Sequence, residues 1–562
     1  MASRARLGTG KVLSADEAVR LIPDGATLTI SGTIGWLYPA KLLQALEVRF
    51  LTEGHPRDLT WFDPFPTGVP GIEPLAHEGL LRRVIGGWFT PHPRLQAMIL
   101  NDEIEAYMYP LGTLSFWLQS MAAGREFYLT NVGLGTYVDP RQGGGRLNRR
   151  TTEELVTLEI VAGEEYLRYR KLPIHVALLR GSVVDEEGNL SLDGETVTMN
   201  SLYQAIAAKR FGGVVIAQAK RLVESGSIPP RLVAVPGVLV DAVVIDPDQH
   251  RDEASPDLEW LVPDLRLPRP PAFVLASPSK LVWREWFESR RADTSSGGEA
   301  GTLERLLAAG GTADRIVARR AVMELRPGSF VNVGTGLPTR DLIPAAIEEG
   351  LDACCELSIE TGVLGGYLNG AGFRSNMRAV LDTPAIFSIY ASGIPEATFL
   401  SMLEFDQEGN VNLLRYGDVL VGPGGSMDIA EAVETVVFCG TFRAGGLQVE
   451  AANGNLRIIT EGKFPRGVER VQAVCFSGPK MRRQGKRVLY VTERAVFELT
   501  DRGVALREVA PGIDVEGEVL GRMAFRPYVD GSVATMDERI FRAGPMGLLA
   551  GKPAAAPGPV RR

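Results

Sequence analysis

The stretch SFVNVGTGLP at residues 329–338 shows the order of elements that decides the fold. Residues 329–333 predict a strand, residues 334–338 a glycine-rich loop, and the run up to Ile347 a helix. The same order occurs earlier, where residues 26–31 predict a strand, residues 32–35 a loop, and Pro39 opens a helix. Strands that alternate with helices in this way are typical of an α/β sheet with mostly parallel strands.

Two further pairs of segments repeat in the same order. The segment VDEEGNLSL at residues 184–192 matches FDQEGNVNL at residues 405–413, and each predicts a turn between apolar strands. The segment GVVIA at residues 213–217 parallels ETVVF at residues 434–438 as a buried strand that follows a helical stretch. Three collinear matches predict two related α/β domains in tandem, with flanking helices. Residues 50–150 are expected to have no counterpart in the second half.

Composition places the domain boundaries. The segments TSSGG at residues 294–298 and GG at 310–311 interrupt a polar stretch, which is typical of a linker. We therefore predict a first domain over residues 1–290, a linker over 291–311 and a second domain over 312–542. The end of the chain is rich in proline and small residues, so residues 543–562 are predicted to be a flexible tail.

Charge and cysteine content exclude several classes of protein. The 562 residues have a formal net charge of −8, which argues against a nucleic-acid partner. The four cysteines, the absence of a secretory apolar region near Met1 and the absence of a run of 18 uncharged apolar residues predict a cytoplasmic protein without a membrane partner. The five histidines lack zinc-ligand spacing, so we expect no metal site.

A candidate nucleophile lies within CCELSIETGVLGG at residues 354–366. Apolar and polar residues alternate from Cys355 onward, so the pattern predicts a strand that ends at Glu360. Four glycines within the next ten residues allow a ligand or another backbone to approach closely. An ionised glutamate can attack an activated carbonyl without a neighbouring base, which makes Glu360 a candidate for acyl chemistry. The alternative is an ordinary surface glutamate at the end of a strand.

A second glycine cluster is GPGGSMD at residues 422–428. Asp428 is predicted to begin a helix, so backbone N–H groups around Gly424 and Gly425 are candidates to hold an oxyanion or coenzyme A. A tight turn between a strand and a helix is the structural alternative. The glycine loops at residues 32–35 and 334–338 follow predicted strands, and such loops often border a ligand site in α/β sheets.

Other chemistries fit the sequence poorly. The loop that contains Gly334 and Gly336 has Thr339 where a dinucleotide fingerprint requires a third glycine, and Pro338 interrupts it. Glu356 and Glu360 lie four residues apart on one strand, roughly 13 Å, which is too far for a glycosidase pair. The pair Cys354–Cys355 has apolar neighbours, so buried thiols fit better than nucleophiles.

Several motifs together resemble those of a known enzyme family. They are VIGG at residues 84–87, VGLGTYVDPR at 132–141, ETG at 360–362, GG at 424–425 and VFCGTF at 437–442. The chain resembles the family I coenzyme A transferases of the fused-subunit type, close to the propionate/acetate CoA-transferases and more distantly the 3-oxoacid CoA-transferases. The resemblance extends from about residue 10 to about residue 530.

The resemblance implies an architecture and a mechanism. The first domain corresponds to the alpha subunit of two-chain relatives, and the second corresponds to the beta subunit and contains the catalytic glutamate, Glu360. Its carboxylate attacks an acyl-CoA, and a glutamyl-CoA thioester then passes the coenzyme A to a carboxylic acid in a ping-pong reaction of acyl-CoA and short-chain fatty acid metabolism. Coenzyme A is then a substrate and no cofactor is permanently bound. Family analogy also suggests a homo-oligomer.

One position departs from the family pattern. Relatives generally have a glutamine between the proline and the glycine where this chain has Pro110-Leu111-Gly112. Leu111 and Gly112 are therefore expected at a substrate pocket that is differently shaped or drier, for a short-chain or modified carboxylate. Two alternatives keep the same residues: an acyl-CoA hydrolase that uses Glu360, and a non-catalytic CoA-binding protein.

Overall fold

Two sheets, each with a parallel core, organise the two halves of the chain in the computed structural model. The structure describes residues 10–249 and 311–549, apart from residues 34, 66–68, 91, 196, 366, 369–373, 376, 418 and 530. The described residues before 250, together with 380–388 and 414–428, form a first unit, and the other described residues form a second unit. Two segments of the predicted second domain therefore cluster with the first unit. The carbonyls of Val421 and Gly424 accept backbone hydrogen bonds there, and the N–H of Thr383 donates to the carbonyl of Met199.

Nine of the described strands form the sheet of the first unit. The strands up to residue 249 are β1 (Thr27–Ile30), β2 (Leu59–Asp63), β3 (Leu81–Gly86), β4 (Glu105–Met108), β5 (Phe127–Thr130), β6 (Val156–Val161), β7 (Glu164–Arg170), β8 (Val176–Asp185), β9 (Leu190–Ser191), β10 (Val214–Val223), β11 (Val233–Val235) and β12 (Ala242–Ile245). Seven lie parallel in the order β12-β10-β8-β1-β2-β3-β4. Strands β9 and β11 extend the sheet in antiparallel pairing, and β5, β7 and β6 form a separate antiparallel sheet.

Strands β1 and β2 lie in the interior of the first unit. Every residue of β1 and β2 is buried, as expected of parallel strands between helices. The helices are α1 (Ala15–Val19), α2 (Ala40–Glu53), α3 (Val69–Ile72), α4 (Pro93–Leu100), α5 (Leu111–Ala122) and α6 (Ser201–Arg210). Ser14 and Glu17 form a reciprocal capping box at α1.

Ten of the described strands form the sheet of the second unit. From residue 311 onward the strands are β13 (Phe330–Val333), β14 (Glu356–Ile359), β15 (Val363–Leu364), β16 (Tyr367–Leu368), β17 (Arg374–Ser375), β18 (Ala379–Val380), β19 (Ala397–Ser401), β20 (Glu404–Phe405), β21 (Val411–Asn412), β22 (Arg415–Tyr416), β23 (Val419–Leu420), β24 (Thr435–Cys439), β25 (Arg443–Ala444), β26 (Gln448–Ala452), β27 (Asn455–Thr460), β28 (Phe464–Pro465), β29 (Arg487–Val491), β30 (Ala495–Thr500), β31 (Gly503–Val509) and β32 (Ala534–Thr535). The parallel core has the order β14-β13-β19-β24-β29. The helices of this part are α7 (Thr312–Val322), α8 (Ile343–Glu348), α9 (Thr383–Ala391), α10 (Ser426–Ala432) and α11 (Gly478–Arg483).

The two sheets repeat one strand order. The order β2-β1-β8-β10-β12 in the first unit matches β14-β13-β19-β24-β29 in the second, and all pairings in both series are parallel. This confirms the prediction of two related, mostly parallel α/β domains. One detail was wrong: β2 lies within residues 50–150, which we expected to have no counterpart, yet it occupies the place of β14.

The predicted tail is partly held in place. The backbone N–H groups of Met546 and Leu548 both donate to the carboxylate of Glu349, and Met546 is buried. Arg319 donates to the carbonyl of Gly544. The described part of the predicted tail is therefore packed against the second unit, because a buried carboxylate and guanidinium bind its backbone. Residues 550–562, and the predicted linker except residue 311, lie outside the described residues.

Candidate active site

Glu360 lies in a hairpin turn at the end of a central strand. Strand β14 ends at Ile359, one residue earlier than predicted, and the antiparallel strand β15 begins at Val363. The N–H of Gly362 donates to the carbonyl of Ile359 at 3.0 Å, and Gly362 has a φ of 96°. This positive φ favours glycine and lets the chain reverse directly after Glu360. The glutamate is therefore placed in a tight turn, partly exposed to solvent.

The loop that follows β13 reaches the carboxylate of Glu360. Thr335 Oγ1 donates to Glu360 Oε1 at 3.3 Å, and the carbonyl of Thr335 accepts from Ser401 Oγ at 3.0 Å. Because β13, β14 and β19 are parallel neighbours, the residues that follow them meet at one edge of the sheet. The predicted glycine loop at residues 334–338 therefore borders Glu360.

A chain of buried polar side chains lies next to the strand ends in the second unit. Asn332 Nδ2 donates to the hydroxyl of Tyr390 at 3.0 Å, and Tyr390 donates to Ser358 Oγ at 3.1 Å. Thr398 Oγ1 donates to Asn332 Oδ1 at 2.8 Å. All four side chains belong to residues that are fully buried. Burial raises the pKa of Tyr390, and the negative charge of Glu360 adds to the rise, so the phenol stays protonated.

The first unit brings the predicted residues Leu111, Gly112 and Gly424 together. Leu111 begins α5, and its N–H donates to the carbonyl of Gly424 at 3.0 Å. The carboxylate of Asp428 accepts from the N–H of Gly112 at 2.8 Å and from Thr113 Oγ1 at 2.7 Å. The N-cap residue Pro110 makes no side-chain cap to α5, so Asp428 supplies the acceptor that the helix end requires.

Leu111 and Gly112 are enclosed by close neighbours. Leu111 is buried, and a Cβ on Gly87 would lie only 2.1 Å from Leu111 Cδ2. A Cβ on Gly112 would lie 2.4 Å from Phe387 Cδ1 and 2.7 Å from Asp428 Cγ. Both glycines are therefore required by the packing around the start of α5. The role of Leu111 and Gly112 at a substrate pocket stays a prediction.

The segment before α10 forms a tight turn with a positive φ. The helix begins at Ser426, two residues earlier than predicted, and Gly424 has a φ of 56°. Ser426 Oγ donates to the carbonyl of Pro423 at 2.5 Å, and the Ser426 N–H donates to the same oxygen at 3.1 Å. These bonds satisfy the turn locally. The oxyanion or CoA-binding role of Gly424 and Gly425 stays a prediction.

Sequence reasoning missed a buried carboxyl group in the first unit. Asp63 ends β2 and is almost completely buried. Its carboxyl accepts from the N–H of Ile30 at 3.1 Å and from Gln204 Nε2 at 3.4 Å. Burial raises the pKa of Asp63 well above its ordinary value. The capping of α5 by Asp428 and the buried hydrogen bonds of Tyr390 were also missed. For Asp428 a signal was Pro110, which leaves the start of α5 in need of an acceptor from elsewhere.

The other groups near the candidate nucleophile are engaged or protonated. Glu356, the first residue of β14, forms an ion pair with Arg378. Burial raises the pKa of Cys355 to about 11, so this thiol is not ionised at neutral pH. Within residues 10–249 and 311–549 as described, no group of three or more histidine, cysteine or acidic side chains is arranged to hold a metal ion.

Comparison with known proteins gives a consistent result. The family model for coenzyme A transferases matches residues 12–246. The chain is 34% identical over 550 residues to acetate CoA-transferase YdiF of Escherichia coli K12, covering 96% of this chain and 97% of that protein. It is also 34% identical over 553 residues to the caffeate CoA-transferase of Acetobacterium woodii, covering 94% and 97%.

The chain belongs to the coenzyme A transferase family. A crystal structure of YdiF from Escherichia coli O157:H7, in a thioester complex with CoA, superposes on this CoA-transferase with a TM-score of 0.85, covering 97% of this chain and 98% of that one. The predicted family, the fused-subunit type and the enzyme class are thereby confirmed, and coenzyme A is a substrate of this transferase. In the part of the chain that the structure describes, no helix has the length and apolar character needed to cross a membrane.

Proposed function

We propose that this CoA-transferase moves coenzyme A from an acyl-CoA to a carboxylic acid through a thioester on Glu360. A carboxylate oxygen of Glu360 attacks the thioester carbonyl, the C–S bond breaks, and the CoA thiolate leaves behind an acyl-glutamyl anhydride. The thiolate then attacks the glutamyl carbonyl and releases the donor acid as a carboxylate. An acceptor carboxylate then attacks the glutamyl-CoA thioester, and the same two steps run in reverse. The acceptor leaves as its CoA thioester, and Glu360 is restored as a carboxylate.

The observation that carries this proposal is the position of Glu360. It is partly exposed in a hairpin turn at the end of a parallel core strand, where ligands tend to bind in α/β sheets. Its carboxylate accepts a hydrogen bond from the neutral hydroxyl of Thr335, which orients Oε1. The reaction releases no net proton, so an ionised carboxylate suffices and no general base is required.

We propose small carboxylic acids as acceptors and their CoA thioesters as donors. The full-length relatives act, by their names, on acetate in one case and on caffeate in the other, at the same identity to this chain. These acids differ greatly in size but share the carboxylate that the mechanism needs. From Leu111, which stands where relatives generally have a glutamine, we infer a preference for a short-chain or modified acyl group over a strongly polar one.

The test is the covalent intermediate itself. Folded protein is incubated with a panel of acyl-CoAs without acceptor, denatured and analysed by mass spectrometry. The peptide that contains Glu360 should gain the mass of CoA less one water. Glu360→Gln should abolish this adduct, whereas Glu356→Gln, a change of the same kind at the start of β14, should retain it. An adduct that persists in Glu360→Gln would place the nucleophile elsewhere.

Acceptor dependence separates transfer from hydrolysis. A transferase should release new acyl-CoA only when a carboxylic acid is present, and free thiol should accumulate slowly. Free thiol at the same rate with and without added acid would show an acyl-CoA hydrolase instead. Binding of acyl-CoA without an adduct or turnover would show a non-catalytic binding protein.

A further inference from the structure

We propose that Tyr390 is a positioning residue for Glu360, acting through Ser358 on the end of the strand that carries the catalytic turn. This inference rests on the proposed role of Glu360 as nucleophile. Tyr390 is fully buried and would not touch the substrate. Its hydroxyl would act by holding the last residues of β14 in one arrangement.

The direction of each hydrogen bond among these side chains follows from the backbone carbonyl of Val331, where the series of hydrogen bonds ends. Ser358 Oγ lies 2.9 Å from the carbonyl oxygen of Val331, which can only accept, so Ser358 donates its single proton there. Ser358 must then accept from the hydroxyl of Tyr390. Because that hydroxyl has used its own proton, any further hydrogen bond to it must come from a donor.

The remaining links complete the chain without an unsatisfied group. Asn332 Nδ2 is that donor, at 3.0 Å, which leaves Asn332 Oδ1 to accept from Thr398 Oγ1 at 2.8 Å. The four side chains come from β13, β14, β19 and α9. Such a fully satisfied buried network rigidifies the elements it joins. Here it joins three adjacent strands close to the edge where Glu360 lies.

Ser358 connects this buried hydrogen-bond network to the turn that contains Glu360. It lies two residues before Glu360, and the hairpin that contains Glu360 is closed by the pairing of Ser358 with Leu364 and of Ile359 with Val363. A shift of Ser358 would therefore move the base of the turn. The negative charge of Glu360 also contributes, after burial, to the raised pKa of the Tyr390 phenol.

The loss of the Tyr390 hydroxyl would remove one hydrogen bond from each of two buried partners. Ser358 Oγ and Asn332 Nδ2 would each lose the group that now lies between them. The end of β14 would then sample additional arrangements. A displacement of about 1 Å in a reacting group can cost about 10²-fold in rate, so the effect should appear in the chemical step rather than in the binding of acyl-CoA.

The experiment compares two buried tyrosines of the second unit. Tyr490 is also fully buried, and its hydroxyl donates to the carbonyl of Gly409 at 2.6 Å. Among the described residues, this hydroxyl forms no hydrogen bond to β14. The single-turnover rate of Glu360 adduct formation, the KM for acyl-CoA and the melting temperature are measured for Tyr390→Phe and Tyr490→Phe. We expect Tyr390→Phe to slow adduct formation about tenfold or more with little change in KM, and Tyr490→Phe to stay within about twofold of the wild type.

A double-mutant cycle tests the connection through Ser358. Ser358→Ala should slow adduct formation to a similar extent, and the double variant should be no slower than the slower single variant, because both changes break the same chain. If Tyr390→Phe does not fold, Ser358→Ala gives the result by itself.

The outcomes separate this inference from the proposed function. An adduct rate in folded Tyr390→Phe within about twofold of the wild type, or an equal fall in Tyr490→Phe, overturns the positioning role. A fully additive double variant also overturns it. If no adduct forms in the wild type, or if it persists in Glu360→Gln, the proposed function itself is wrong.

Discussion

The two units present an acidic residue at corresponding places but in opposite environments. Strand β2 pairs with β1, and β14 pairs with β13. Asp63 is the last residue of β2 and is 2% exposed, with the Ile30 N–H and the Gln204 side chain as partners. Glu360 follows β14 by one residue, is partly exposed, and has the Thr335 hydroxyl as a partner.

The difference shows that the turn after a strand decides what its carboxylate can do. After Asp63 the chain leads to β3, which continues the parallel series, and the carboxyl stays inside the unit. After Glu360 the glycine turn at Gly362 sends the chain back as the antiparallel strand β15. The same sheet topology therefore supports a structural acid in one unit and an accessible acid in the other.

The strongest test of this comparison removes the charge from each residue separately. Glu360→Gln should lower turnover by about 10³-fold or more, since loss of a covalent nucleophile is among the most damaging changes in an enzyme. Asp63→Asn should leave turnover within about threefold of the wild type, because the amide keeps an oxygen for the Ile30 N–H. Steady-state kinetics on both folded variants provides the measurement. Equal losses in the two variants would contradict the division of roles.

For stability, unlike turnover, we expect a larger effect from a substitution at Asp63 than from one at Glu360. Asp63→Ala leaves the Ile30 N–H and the Gln204 amide without this acceptor, so it should destabilise the first unit by about 1–3 kcal/mol. Glu360→Ala changes a partly exposed turn residue and should cost within about 0.5 kcal/mol. Urea unfolding followed by tryptophan fluorescence can compare them, with Trp61 on β2 as a local reporter. A larger loss for Glu360→Ala would show that the turn is structural.

The raised pKa of Asp63 predicts a particular pH dependence. In the window between the ordinary aspartate pKa of about 4 and the raised folded value, the folded protein binds more protons than the unfolded chain. The contribution of Asp63 to stability is therefore full below this window and is lost as pH rises through it. The urea midpoint of the wild type, measured relative to that of Asp63→Asn, should decrease as the pH is raised from about 4 towards neutral. A constant difference would show that Asp63 titrates as an ordinary aspartate.

The smallest expected effect concerns the hydroxyl that contacts Glu360. Thr335→Val keeps the shape of the side chain but removes the donor to Glu360 Oε1, and a single exposed hydrogen bond is worth about 1 kcal/mol or less. Adduct formation should slow by about fivefold at most. Thr335→Ser retains a hydroxyl and serves as the control, with a rate close to that of the wild type. A larger loss in Thr335→Val than in Glu360→Gln would reverse the assigned roles.

Local sequence patterns were sufficient to predict the architecture and the candidate nucleophile. Period-two apolar runs and glycine-rich loops predicted the strands at residues 26–31 and 329–333, observed as Thr27–Ile30 and Phe330–Val333. The alternation of apolar and polar residues from Cys355 onward placed Glu360 at a strand end, and the strand ends one residue before it. These features depend on backbone preferences and on the alternation of apolar and polar residues over a few positions. A short segment of sequence is therefore enough to predict them.

Only the tertiary structure decided the environments of these groups. Asp428 caps α5 across 316 residues of chain, and Tyr390 connects residues from three strands that are separated in sequence. The burial that distinguishes Asp63 from Glu360 likewise depends on what packs around each strand end. The choice of a distant hydrogen-bond partner depends on which side chains exclude water together, and no pattern within a single segment contains that information.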